Sequence, residues 1–206
     1  MWRKKGNLFC AIPLAIAGCL PEAAPLADGV EIPREAYAQA LLRSFHEWRM
    51  AAFPVEASLE GRTEYDETYS GLTPADCDRR IESLAYYRKE LESVDPAAVS
   101  PATALAFEAL KGEIDRLTRE QQELAAGLGF RPDTIAAGLR VLLRTPADAR
   151  SGRAMAARLR EATPALKHVP DAAKLLDEIE TWVGTLQDEQ ARSRCMQALK
   201  TARGTQ

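Results

Sequence analysis

At three of the four places where a hydroxyl residue stands directly before a proline, Thr73-Pro74, Ser100-Pro101 and Thr145-Pro146, an apolar-periodic stretch follows; the fourth, Thr163-Pro164, falls late in such a stretch. Each of the three suits a helix start. The hydroxyl can accept a backbone N–H of the first turn, and proline's fixed φ and missing N–H cost nothing at the first helical position. Between these starts, stripe residues recur at three and four, as in Tyr37, Leu41, Phe45 and Trp48, or Leu110, Ile114, Leu117, Gln121 and Leu124. No segment sustains the alternation of a half-buried strand. The sequence therefore predicts an all-α fold, an irregular bundle of about six helices.

The first helix is expected from Pro33 to about Ala52, with Pro54 as its stop. The next twenty or so residues, through Gly61, Tyr65, Tyr69 and Gly71, carry no period, which makes the connection either functional or packed down by its own tyrosines. Thr73 with Asp76 reads as a capping box for a helix that buries Cys77, Ile81, Leu84 and Leu91 and ends at Asp95-Pro96. A third helix of about 25 residues closes at Gly127 and Gly129, and Asp133 is placed to cap a fourth. Thr145-Pro146 with Asp148 opens a fifth, which Pro164 must kink or break. Asp171 caps a last long helix through Leu175, Ile179, Trp182 and Leu186 toward Leu199, followed by a tail from Ala202 that should fray.

The N-terminus carries a different signal. Trp2-Arg3-Lys4-Lys5 precedes an uncharged run from Gly6 to Leu20, the layout of a secretory leader. The run is too short to span a bilayer, which takes ~20 apolar residues, and Pro13 interrupts it. Its end, Ile16-Ala17-Gly18-Cys19, resembles the bacterial lipobox. That likeness implies cleavage between Gly18 and Cys19 and a diacylglyceryl group on the Cys19 thiol. On this reading residues 1–18 are a lipoprotein signal peptide, 19–32 a lipidated cysteine and flexible tether, and 33–206 a helical domain. The address is the bacterial cell envelope, held to the membrane through Cys19. Leu20 stands where an aspartate would favour inner-membrane retention, so the outer membrane facing the periplasm is expected if the cell has one.

Removing residues 1–18 from 206 leaves 188, enough for one domain that buries about 70% of its unfolded surface. Lys and Arg number 27 against 30 Asp and Glu, and three of the positive charges belong to the leader, so the remainder is mildly acidic. Without a basic block, nucleic acid is a poor partner. Of the four cysteines, Cys10 lies in the leader and Cys19 is the acylated one. Cys77 and Cys195 can pair in an oxidising compartment, or are two small apolar residues on different helices.

Chemistry is sparse. His46-Glu47-Trp48-Arg49-Met50 approaches the zinc-binding H-E-x-x-H pattern, but Met50 occupies the second histidine's place and a thioether does not replace imidazole on zinc. His168 is the only other histidine. No nucleophile elbow or phosphate-binding glycine loop occurs, and acidic pairs such as Glu178 and Glu180 do not share a helical face. No catalytic residue, metal site or cofactor is expected.

The non-periodic connection carries one further pattern. Pro54-Val55-Glu56-Ala57-Ser58-Leu59-Glu60-Gly61, then Tyr65-Asp66 and Leu72-Thr73-Pro74, resembles the P-x-x-A-[ST]-x-x-G, D, L-[ST] pattern near the start of the bacterial family catalogued as domain of unknown function 885. The likeness continues through Leu91-Glu92-Ser93-Val94-Asp95, the helix from Leu105 to Leu117, and Leu142-Leu143-Arg144. It ends with Ala157-Arg158-Leu159-Arg160 and Thr163-Pro164, which resemble that family's arginine-leucine stretch before a proline kink. The resemblance implies the N-terminal helical part of a zinc-peptidase-like architecture of the gluzincin type. In that family the H-E-x-x-H helix and its glutamate ligand lie in a C-terminal half with no counterpart here, so none of those positions carries over.

Pro54, Ala57, Ser58 and Gly61 have a structural reading of their own. Pro54 ends a helix, Ala57 and Ser58 start a tight turn, and Gly61 takes a positive φ or admits a close backbone. The leading expectation is a non-catalytic accessory or binding module that engages a protein partner in the envelope. A remnant of a zinc metallopeptidase and an unrelated helical structural lipoprotein are the alternatives.

Overall fold

Proline at the first helical position sets out the N-terminal half of the molecule. In the computed structural model, which describes residues 33–69 and 71–205, α1 runs Arg34–Ala52, α2 Pro54–Leu59, α3 Pro74–Ser93, α4 Pro101–Ala125 and α5 Pro132–Leu143. Four of these five begin on proline. They are followed by α6 at Ala149–Ala162, α7 at Ala172–Gly184 and α8 at Glu189–Gly204. Short 3-10 turns lie at Thr63–Tyr65, Pro96–Ala98 and Thr163–His168, and no strand occurs among the described residues, so the fold is all-α. The leader, the lipobox residues Gly18 and Cys19 and the tether lie outside the described residues. No described helix is long and apolar enough to cross a membrane.

The caps explain most boundaries. Thr73 accepts from the Asp76 N–H while the Asp76 carboxylate accepts from the Thr73 N–H at 3.0 Å, a complete capping box at the start of α3. Ser100 caps α4 through the Thr103 N–H. Such caps contribute about 1 kcal/mol each. At Thr145-Pro146 the device works differently from expectation. The Thr145 hydroxyl donates back to the Leu142 carbonyl at 2.7 Å and finishes α5, and Asp148 caps α6 in a capping box with Ser151. α5 begins at Pro132 after Arg131, so Asp133 lies within the first turn and complements the helix dipole instead of capping.

Two further boundaries differ from the sequence reading. Pro54 ends α1 but also starts α2, because Phe53 alone breaks the helical path at φ −129° and ψ 63°. The expected single C-terminal helix is two. Thr185 and Leu186 donate to the carbonyls of Trp182 and Val183, closing α7, and Asp188 accepts from the Ala191 N–H at 2.6 Å to start α8. The chain thus folds back, so that Ala191, Cys195 and Ala198 are buried where a continuous helix would have left them exposed. The C-terminus does not fray at Ala202, which is fully buried, and Arg203 reaches Asp177 at 2.7 Å and Glu180 at 2.6 Å.

Burial forms two clusters. α1, α3 and α4 enclose Ala38, Leu41, Phe45, Leu84, Tyr87, Leu91, Phe107, Leu110, Ile114 and Leu117. The helices α5 to α8 enclose a larger one, including Ile135, Leu139, Leu142, Met155, Leu159, Leu166, Leu175, Leu176, Ile179, Val183 and Leu199, joined by Val55 and Tyr69 from the connection. Each fully buried large side chain is worth ~1.5–3 kcal/mol, against at most ~1 kcal/mol for a solvated ion pair such as Arg116 with Glu113 and Glu120, so the clusters decide the fold.

Cys77 and Cys195 are not bridged. Both are buried free thiols in different surroundings: Cys77 donates to the Gly129 carbonyl at 3.3 Å, and Cys195 to the Gly152 carbonyl at 2.9 Å. Burial pushes the Cys195 thiol up to about 11, away from the reactive thiolate. Both thiols should resist alkylation in the folded protein and react together on unfolding; rapid labelling of either under native conditions, read by mass spectrometry, would contradict this packing.

Glu35 ties α1 to the start of α4. Its carboxylate accepts from the Thr103 hydroxyl at 2.6 Å and the Ser100 N–H at 2.8 Å, and these bonds hold its pKa at about 2 against an ordinary 4.5. A depressed carboxylate pKa gives stability that is complete above the unfolded value and is lost as pH falls through the folded one. The difference in urea midpoint between wild type and Glu35→Gln should therefore be constant well above 4.5, shrink as the pH falls from 4.5 and vanish only below about 2.

Candidate functional site

A charged residue sits on the apolar stripe of α6. Ser151, Met155, Arg158, Leu159 and Ala162 are all buried, and Arg158 is 0% exposed. Its guanidinium makes no direct ion pair among the described residues. Nη1 donates to the Gly138 carbonyl of α5 at 2.6 Å, while Nη2 donates to the Ser58 hydroxyl of α2 at 2.6 Å and to the Tyr65 carbonyl at 3.3 Å. The Pro54 carbonyl lies 3.5 Å from Nη2, and the group stacks 5.5 Å from the centre of the Tyr69 ring. Burial pushes the guanidinium pKa down, opposed by the fields of Tyr69, Asp66 and Glu161, and Nε has no hydrogen-bond partner.

The rest of the connection is fastened from the same helix. The Glu161 carboxylate accepts from the backbone N–H of Tyr69 at 3.0 Å and of Gly71 at 3.3 Å. Tyr69 inserts its ring beneath α5 and donates its hydroxyl to the Ile135 carbonyl at 2.6 Å, and burial raises its phenol pKa. A side chain at Gly138 would place its Cβ 2.4 Å from that ring, so the helix must carry glycine there. The tyrosine reading of the connection is thus realised by Tyr69, with Tyr65 contributing its carbonyl.

All four motif residues lie on this joint. Pro54 is the first residue of α2, Ala57 is fully buried, and Ser58 is the hydroxyl partner of Arg158. Ala57 and Ser58 belong to a helical turn, and the reversal comes later, where the Gly61 N–H donates to the Ser58 carbonyl and the Arg62 N–H to the Ala57 carbonyl. Gly61 has φ +84° and open space where a Cβ would stand, so positive φ alone requires glycine. Gly138 and Glu161 escaped the sequence reading, and Arg158 entered it only within the Ala157–Arg160 likeness, with no role assigned. The available signal was Arg158 itself, three residues after Met155 and four before Ala162, where a stripe position demands an apolar group or a fully bonded polar one.

Beside the joint, a cleft of about 90 Å³ opens between the α1–α2 corner and the α4–α5 turn. Phe53, Leu72, Leu124 and Phe130 form apolar walls, and Tyr69 and Gln121 also line it. Arg80 donates to the Gln121 side chain at 2.6 Å and stacks 5.9 Å from the Phe53 ring centre, while Arg131 pairs with Glu120 at 3.1 Å. Such a volume admits several waters or one small side chain. Apolar walls with charged rims are equipped to bind. The two histidines lie apart and exposed on α1 and the Thr163–His168 turn, Met50 is buried, and no group of three or more His, Cys, Asp or Glu among the described residues is placed to hold a metal. Comparison with protein-family models, with curated proteins and with solved structures finds no match.

Removing the guanidinium takes the charged donor from the Ser58 hydroxyl and from the Gly138 and Tyr65 carbonyls in a buried site, so Arg158→Leu should destabilise by about 2–4 kcal/mol and Ser58→Ala by about 1.5–3 kcal/mol. Arg158→Lys should cost nearly as much as Leu, because a point donor cannot span α2 and α5 as the planar fork does. Urea unfolding measures all three, and a lysine variant as stable as wild type would show that charge, not fork geometry, is what the joint needs.

Proposed function

We propose that this chain is a lipid-anchored protein of the bacterial envelope whose helical domain acts by binding, as an accessory module for a protein partner, and not by chemistry of its own. The observation that carries the second half of this reading is the fate of the connection between α1 and α3. The one hydroxyl of its motif, Ser58, and the Tyr65 carbonyl are bonded to a buried guanidinium, which supports an architectural role for the loop. The resemblance to the N-terminal helical part of the zinc-peptidase-like family supports the same division, since there too these residues lie apart from the metal motif. The cleft at the α1–α2 corner, with its aromatic walls, is the natural seat for a partner's side chain.

The first half of the reading rests on Arg3-Lys4-Lys5, the uncharged run and Ile16-Ala17-Gly18-Cys19. A thioether diacylglyceryl group joined by an N-acyl chain buries many methylenes at ~0.8 kcal/mol each, which makes such an anchor effectively permanent. Expressed in a bacterium fed labelled palmitate, the wild-type chain should take up label and sediment with membranes, and Cys19→Ser should do neither. Equal labelling of the variant would reject the anchor. Zinc-dependent turnover of a peptide panel that disappears in Glu47→Gln would reject the non-catalytic reading.

A further inference from the structure

The chain's near balance of charge hides a local excess. Between Arg131 and Arg160 stand seven arginines and two aspartates, within a chain whose net charge is −3. Arg131 is paired with Glu120, Arg158 is buried, and Arg160 donates to the Ala156 carbonyl. The other four, Arg140, Arg144, Arg150 and Arg153, are exposed and make no ion pair among the described residues. Elsewhere several arginines are bracketed by carboxylates, Arg88 by Glu92 and Asp115, Arg116 by Glu113 and Glu120, Arg203 by Asp177 and Glu180, and exposed ones without an ion pair, such as Arg43 and Arg119, stand on different helices.

Arg140 and Arg144 are one helical turn apart on α5 and line a shallow groove with Leu59, Ala137 and Val141. Leu59 is 57% exposed, among the most exposed large apolar side chains described. Asp133 is the one acidic residue lining this groove, leaving it net positive, while Glu64 and Asp148 face Arg150. Unpaired guanidinium groups beside an exposed aliphatic side chain match a surface that offers phosphates in front of hydrocarbon. Thirteen residues, 20 to 32, separate Cys19 from the helical unit, a reach of ~45 Å at full extension.

We propose that the α2–α5 groove is a docking surface for anionic phospholipid headgroups, with Arg140 and Arg144 on the phosphates and Leu59 entering the interface. The choice of a bilayer as occupant rests on the anchoring reading above. The surface holds the domain against the membrane to which Cys19 is attached, so that the cleft at the α1–α2 corner is presented in a defined attitude and not at random on its tether.

Residues 33–206 form a compact unit holding both apolar clusters, so the test uses that unit without the leader or any acyl chain. Its sedimentation is measured with vesicles of phosphatidylcholine and phosphatidylglycerol in equal parts and with phosphatidylcholine alone. Binding is expected to the anionic vesicles only, to weaken with added salt, and to fall about thirty-fold in the double variant Arg140→Gln/Arg144→Gln, at ~1 kcal/mol per arginine. Arg43→Gln/Arg119→Gln removes the same charge from exposed, unpaired positions on α1 and α4 and should leave binding nearly unchanged. Equal binding to both vesicle types, no binding to either, an equal loss in the control pair, or tighter binding to a single-stranded oligonucleotide overturns the proposal. Acylation at Cys19 plays no part in these measurements, so a failed labelling experiment and a failed vesicle experiment remain separate results. Circular dichroism melts of each variant confirm that the exposed substitutions leave the unit folded.

Discussion

A guanidinium withdrawn from water without a carboxylate against it is the constraint around which this molecule is arranged. Arg158 reaches neutral oxygens on three separate segments, α2, the Thr63–Tyr65 turn and α5, and so joins stretches that lie far apart in the chain. α2 ends where its serine can turn inward. The chain beyond it runs close enough to offer the Tyr65 carbonyl. α5 lends a main-chain oxygen at Gly138, and the same glycine clears space for the Tyr69 ring. Desolvating a charge is expensive, and here the cost is offset by charge-assisted hydrogen bonds and by an aromatic face, with Asp66 and Glu161 supplying a more distant negative field.

This arrangement also accounts for how the two apolar clusters become one body. α1, α3 and α4 share one set of buried side chains and α5 to α8 another, and the connection between α1 and α3 is the segment that belongs to both. At its start Arg49 of α1 holds Glu56 of α2 at 3.0 Å, and at its end Glu161 grips the backbone at Tyr69 and Gly71. A stretch of the chain without hydrophobic period is thereby positioned by polar contacts, which are directional where apolar packing is not.

Much of this was legible in the residue order, and the parts that were not share a cause. The starts at Thr73 and Ser100 were readable because hydroxyl, proline and stripe all agree locally. The break at Gly184 to Asp188 was not, because Leu186 continues the apolar spacing across it, and only the packing of α8 against α6 decides between one helix and two. The motif residues Pro54, Ala57, Ser58 and Gly61 could be seen as a group, yet the guanidinium that Ser58 and the Pro54 carbonyl meet lies on a helix read as apolar. Long-range polar partnership leaves no period, so Arg158 could be placed in a motif and seen as an anomaly on a stripe, but not matched to its partners.

Ser58 and Arg158 are separated by 100 positions along the chain. Closing so long a loop adds only logarithmically to the entropic cost, but that cost must be met before the contact gives anything back. During synthesis the turn around Ser58 leaves the ribosome long before its arginine exists. Until α6 is made, the Ser58 hydroxyl and the Tyr65 carbonyl lack their guanidinium partner. The burial of one side chain therefore ties the seating of the Ser58 turn to residues made 100 positions later.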